Sequence, residues 1–157
     1  MFHEVVENQT ASGVAGDGET PDADADAVTA AALLASFETL VSEAVAEAGR
    51  ERVGDETDAG EAAIESAAAG DVEGLTVEEG AAIVAVTADR DADAIVAELR
   101  DHLLMGMATA VLDVDTVAAG IEADLTGQEV QQALEGRAAM TLGQLAEIMA
   151  VIERRKP

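Results

Sequence analysis

The chain has no cysteine, tryptophan or tyrosine, and its 157 residues include only two phenylalanines, two prolines and a single lysine, Lys156. Without cysteine there is no disulfide, no thiol chemistry and no sulfur-ligated metal. With Phe2 and Phe37 as the only aromatics, a core has to be assembled from Ala, Val, Leu and Ile, which are small pieces. The N-terminus lacks a basic region followed by an apolar run, so no secretory signal is expected. The longest uncharged apolar stretch, Leu103 to Leu112, is far short of the ~20 residues that cross a bilayer. The expectation is a soluble, cytoplasmic protein with no membrane partner, in which the Asn8–Thr10 glycosylation sequon is a chance match.

Acid is what the chain has in excess: 33 Asp and Glu against 8 Lys and Arg, a formal charge of -25. High net charge with few aromatics points towards disorder, but 49% of the residues are hydrophobic and they recur at helical spacing. The charge is therefore a property of the surface. An acid-rich, lysine-poor, alanine-rich composition resembles that of cytosolic proteins from salt-accumulating archaea. Carboxylates keep their hydration when water is scarce, and molar salt shortens the Debye length to ~3 Å or less, so that self-repulsion stops mattering.

Residues 1–23, with Gly13, Gly16, Gly18 and Pro21 among acids and small residues, carry no sustained period and are expected to form a disordered acidic tail. Phe2, Val5 and Val6 are its candidates for docking on the body, but a frayed end is the expectation. From Asp26 a helix is predicted, with Leu34, Phe37, Val41, Val45 and Ala48 on one stripe and Gly49 as its stop. Short helices follow around Glu51–Glu56 and Gly60–Ala69, the second closed by Gly70. Thr76 with Glu79, Thr126 with Glu129 and Thr141 with Gln144 form capping boxes that open three further helices. In "ADRDADAIVAELRDHLLMGMATAVL", Asp91 or Asp93 caps a long helix whose core stripe is Val96, Leu99, Leu103 and Met107. No charge occurs between His102 and Asp113, so this helix is expected to be buried on most sides, at the centre of the molecule.

The halves repeat at offsets of 64 to 67 residues: "DADAV" at 24–28 with "DADAI" at 91–95, Ile64 and Gly70 with Val130 and Gly136, Thr76, Ile83 and Val86 with Thr141, Ile148 and Val151. The expected fold class is all-α: two tandem helical units, 24–88 and 89–157, each a long helix plus three short ones, sharing a central helix. Met105, Gly106, Met107 and Ala110 on that helix suit close packing between the units or, alternatively, a homodimer or protein-partner seam.

Several chemistries fail on spacing. Asp22, Asp24 and Asp26, and likewise Asp89, Asp91 and Asp93, suggest calcium loops, but the sixth position is alanine (Ala27, Ala94) and the twelfth is Leu33 or Arg100. Helix capping accounts for them better. His3 and His102 are the only imidazoles, with no further ligands at zinc spacing and no base partner. No strand precedes the glycines at 13, 16 and 18, which argues against a phosphate loop. No nucleophile stands with its base, so the chain is expected to be non-enzymatic, without metal or cofactor.

The segment "TVAAGIEADLTGQEVQQALEGRAAMTLGQLAEIMAVI" resembles helices two to four of the lambda-repressor and Cro type of DNA-binding domain. Val117 and Ala118 match its second helix, Thr126–Leu134 its recognition helix with Val130 as buried anchor, and Met140, Thr141, Leu142, Leu145 and Ile148 its following run. "IEAD" stands where that family has a glycine-centred turn. The resemblance implies that Gln128, Gln131 and Gln132 meet base edges, glutamine pairing bidentately with adenine, and that Arg137 meets phosphate. Against this, Asp113–Glu153 holds eight acids and one base, the reverse of a DNA-binding footprint. The equivalent first-half helix presents Glu61, Glu65 and Ser66. Two functions follow: a DNA-binding transcriptional regulator adapted to high salt, or a degenerate helix-turn-helix scaffold for protein association or dimerisation.

The whole chain, through "MFHE", "DADAIVAELRDHLLMGM" and "EVQQALEGR..MTL", also resembles a family of short acidic proteins of halophilic archaea with no assigned function. That resemblance implies an all-helical, non-enzymatic protein. If only screening keeps the carboxylates from repelling one another, helicity measured by circular dichroism falls as salt is removed. Full helicity in low-salt buffer would contradict it.

Overall fold

The computed structural model describes Phe2 and residues 28–88, 90–122 and 124–156. The expected tail, apart from Phe2, lies outside the described residues, as do Asp22, Asp24, Asp26 and Asp89. The described residues form eight helices and no strand: α1 (Ala30–Ala48), α2 (Arg50–Glu56), α3 (Glu61–Ala68), α4 (Val77–Thr87), α5 (Ala92–Ala110), α6 (Val114–Gly120), α7 (Gly127–Leu134) and α8 (Leu142–Arg155). The fold class is all-α, as expected.

Local signals account for most helix ends. In all three capping boxes both bonds form: Thr76 Oγ1 accepts from the Glu79 N–H while the Glu79 carboxylate accepts from the Thr76 N–H, and Thr126 with Glu129 and Thr141 with Gln144 repeat the arrangement. Thr29, not an aspartate, caps α1, accepting from the Ala32 N–H at 3.1 Å. Asp91 occupies the cap position of α5 without bonding through its side chain, so neither half of the expected Asp91 or Asp93 cap is made there. Gly70 (φ 80°) and Gly136 (φ 79°) close α3 and α7 in the left-handed conformation that only glycine adopts without strain. In each case the next N–H reaches back to the last turn, Asp71 to Ser66 and Arg137 to Gln132.

The two halves run through the same helix order, and a short backbone bridge ties them together. Val77 N–H donates to the Met140 carbonyl and Leu142 N–H to the Leu75 carbonyl, both at 2.8 Å. These reciprocal bonds form an antiparallel bridge between Thr76 and Thr141, the two residues that cap α4 and α8. The bridge sets the N-termini of α4 and α8 side by side, and Leu75, Val77, Met140 and Leu142 are all buried there. Both α1 and α5 then pack on both α4 and α8, so each long helix lies against its own half and the other. One apolar cluster runs through both halves, from Leu33, Phe37 and Val41 to Leu145, Ile148 and Ile152, and no polar or charged side chain among the described residues is buried. Ile64 and Val130, matched in the sequence, are both buried on helices (α3, α7) that lean on a short neighbour and a long one.

Phe2 departs from the expected frayed end. It is fully buried, its ring edge-to-face with Phe37 at 5.3 Å between centroids. Gly80 makes room for it: a Cβ there would stand 3.1 Å from Leu142 Cδ1 and 3.3 Å from Phe2 Cζ.

The helix at the centre is α8, not α5. α8 buries Leu142, Leu145, Ala146, Ile148, Met149, Ala150, Val151 and Ile152, and packs on α1, α4, α5 and α6. α5 turns Ile95, Val96, Leu99, Leu103, Gly106 and Met107 inward, but Leu104, Met105, Ala108 and Thr109 face outward. The absence of charge from residues 103–112 suggests burial on most sides, but an uncharged stretch of helix can still lie at the surface. α5 ends on Val111 in the left-handed region (φ 56°), where a β-branched residue costs ~1–2 kcal/mol. Its side chain is 89% exposed.

The bridge makes Leu142 a keystone for both halves. Leu142→Ala is expected to lower unfolding free energy by about 2–5 kcal/mol in molar salt, read by denaturant melts. A loss confined to far below 1 kcal/mol would contradict the shared core.

Candidate functional site

The helix that the sequence singled out, α7, is held by its inner face. Gly127, Val130, Ala133 and Leu134 are buried, and Gly127 lies so close to Asp115 that a Cβ would overlap its carboxylate. α7 packs mainly on α6 and, through its other edge, on α5. The connector from Ile121 to Thr126 is longer than the 3–4-residue turn of a helix-turn-helix. Ile121 leaves α6 in extended conformation, and the Glu122 N–H is bound by the Glu147 carboxylate of α8 at 3.0 Å. The connector is thereby tied to α8.

Of the four sequence-predicted contacts, Gln128, Gln131 and Arg137 are exposed, while Gln132 is half-buried. The Gln132 carbonyl closes the helix by accepting from the N–H groups of Arg137 and Ala138. Glu135 draws two of the others together. Gln131 Nε2 donates to its Oε1 at 3.1 Å, and Arg137 Nε lies 3.3 Å from its Oε2. Glu129 at the start of α7 and Asp124 and Glu122 in the connector are exposed as well. Arg137 is thus a screened cation on a carboxylate-bearing end of the molecule, and such an exposed pair is worth little energetically but does occupy the donor.

Sequence reasoning missed Arg100. Its guanidinium, on α5, lies under Gly136, where a Cβ would stand 2.8 Å from Cζ, and it pairs with Glu78 of α4 at 3.6 Å. Gly136 is therefore required twice, for its positive φ and for this close approach. Only the inter-half packing brings Arg100, Glu78 and Gly136 together, and no local pattern announces it. Arg154, Arg155 and Lys156 sit at the other end of α8 from the bridge. There Arg154 Nε donates to the Ala150 carbonyl at 3.2 Å and Lys156 Nζ to Glu153 at 2.6 Å.

A cleft of about 410 Å³ lies between the start of α1 and α8, lined by Ala30, Leu34, Glu73, Glu122, Gln144 and Glu147. Gly143 lets the chain close behind it: its N–H donates to the Glu73 carbonyl at 3.1 Å, and a Cβ would meet Glu73 Cγ at 2.7 Å. The cleft collects carboxylates and amides. His102 is elsewhere, half-buried on α5. Among the described residues no group of three His, Cys, Asp or Glu is placed to hold a metal ion. No single helix among them is long and apolar enough to cross a membrane, and α5 with α6, which meet the length and composition only as a pair, turn by 94° between them.

Asp113 caps α6, accepting from the Thr116 N–H at 2.8 Å and its hydroxyl at 2.7 Å. Those two bonds hold its carboxyl below the ordinary carboxylate value. The ionised form is the one the fold favours, so the cap supports α6 above the unfolded-state pKa and is lost as pH falls through the lowered folded value. Carboxyl titration by NMR should place Asp113 below free aspartate, and Asp113→Ala should remove the protection of the α6 amides. A titration at or above the free value would contradict the cap.

No curated protein and no solved structure matches the chain. Residues 33–155, which run from within α1 to the last residue of α8, match the Family of unknown function (DUF5791), and the chain belongs to that family.

Proposed function

We propose that this chain is a non-enzymatic helical scaffold that acts by association with protein, and that α7 keeps the place of a recognition helix without reading DNA. Support comes from the face that would meet the duplex. Glu135 engages both Gln131 and Arg137, the residues offered for base and phosphate contact. DNA binding draws its affinity from cations that replace the phosphate counterions, and specificity from side-chain amides free to meet base edges. Here the amide and the cation are turned towards Glu135, the residue that ends α7, and Glu129 lies in the helix's first turn.

Molar salt removes much of the counterion-release term, so a net acidic protein is not barred from DNA on charge alone. Local donors are still needed, and Gln128 is the remaining exposed amide of α7 that no carboxylate engages in the bonds described above. The adaptation of the surface to brine belongs to the same reading. No polar or charged side chain is buried among the described residues, so the carboxylates described there lie outside a dry core.

Catalysis has little to work with. The cleft beside α8 offers glutamates, a glutamine and a threonine, but no imidazole. The scaffold reading is tested by genomic DNA pull-down in molar KCl, wild type against the double variant Gln131→Ala with Gln132→Ala. Enrichment no greater than that of a non-binding control is expected for both proteins. Enrichment of discrete sites by the wild type, lost in the double variant, would overturn the reading and restore α7 as a DNA-binding helix.

A further inference from the structure

We infer that Phe2 is a salt-governed latch: in concentrated salt its ring fills a slot over Gly80, and on dilution it leaves that slot while the helices are still folded. The inference concerns a contact that the association reading above does not use.

The two phenylalanines of the chain come from distant positions and meet, with ring planes at 89°. Gly80 is the helical residue that gives them space. A glycine inside a helix is less favourable than alanine, and what it provides here is room, because a Cβ would crowd Phe2 Cζ at 3.3 Å and Leu142 Cδ1 at 3.1 Å. Phe37 and Leu142 belong to helices of the body. Phe2 does not: the described body begins at Val28, and residues 3–27 stand between the two in sequence.

Two opposing effects act on that ring. Seating it takes one aromatic side chain out of water and adds an edge-to-face contact. It also fixes both ends of the stretch 3–27, and the entropy lost in tying down a stretch of that length is of the same order as the gain from one side chain. Charge then decides between them. Residues 3–27 carry seven Asp and Glu and no Lys or Arg, and the rest of the chain carries 26 acids against 8 bases. Seating Phe2 holds this acidic stretch to an acidic body, at a cost that grows as the Debye length rises from ~3 Å at 1 M salt to ~10 Å at 0.1 M. The helices withstand the same dilution better, since each is held by several side chains of a shared core and three of them by capping boxes as well. Phe2 is therefore the first of these contacts to break. Its departure opens the space over Gly80 between Phe37 and Leu142, next to the bridge that joins the halves.

NMR of the full chain with 13C-labelled phenylalanine tests this, because there are two phenylalanines and no tyrosine or tryptophan to overlap them. Cross-relaxation between the two rings, followed as KCl is lowered from molar concentration, is expected to vanish at a salt concentration where circular dichroism still reports full helicity. A variant with all seven acids of residues 3–27 changed to their amides should keep the ring contact down to about half that salt concentration or less. Phe2→Ala should fold in molar KCl with the helicity of the wild type, as expected of a latch and not of a residue on which the core depends. Ring contact that is missing in molar KCl, or that persists until the helices melt, would overturn the latch. So would a release point that the amide variant does not move, or a Phe2→Ala chain that fails to fold.

Discussion

The fold depends on backbone hydrogen bonds that cross between its halves, the two of the bridge and one beside it from the Gly143 N–H to the Glu73 carbonyl. Val77 to Met140 and Leu142 to Leu75 fasten together the first turns of α4 and α8, each already opened by its own capping box. Once those N-termini are paired, the two helices present a joint surface, and α1 and α5 both cover it. No bulky aromatic is needed at the centre. Phe2 and Phe37 make one edge-to-face contact near the bridge, and the remaining core is aliphatic. Small side chains suit this plan because they let backbones approach, as at Gly80 beside Leu142, Gly120 beside Val151 and Gly106 beside Ile152.

The same pairing decides which surfaces exist. Burying α8 on four neighbours frees one side of α5, and the absence of charge there becomes a surface feature instead of a core feature. It also brings α5 beneath the loop after α7, where Arg100 meets Gly136 and Glu78. The end of the molecule carrying α7 is left with Glu129, Glu135 and the acidic connector facing solvent. The two ends of the second half thus differ in kind: carboxylates and their intramolecular partners around α7, exposed aliphatic side chains at the end of α5.

Much of the architecture was legible in the sequence because it is governed by local rules. Three Thr-x-x-Glu/Gln boxes, the glycine stops at 49, 70 and 136, and the stripe Val96, Leu99, Leu103 and Met107 all act over one or two turns, and each stands where expected. Of the matched positions, Ile64 and Val130 are both buried, and Thr76 and Thr141 pair in the bridge. What was illegible is nonlocal. The bridge needs residues 65 apart to meet, and nothing in either strand-free segment signals a pairing partner. The burial of Phe2 depends on the space over Gly80, and the exposure of Met105 depends on α8 taking the centre. For the candidate contacts, position was readable and availability was not: Gln128, Gln131 and Arg137 lie outside as read, but Glu135 holds two of them.

A single cooperative core joined at the bridge is the claim on which the scaffold reading stands. Native-state hydrogen exchange in molar KCl tests it at the two amides of the bridge, Val77 and Leu142. Both should exchange only through global unfolding, with the same free energy and the same denaturant dependence. Exchange of one through a partial opening that leaves the other protected would show two halves that fold apart, and would contradict it.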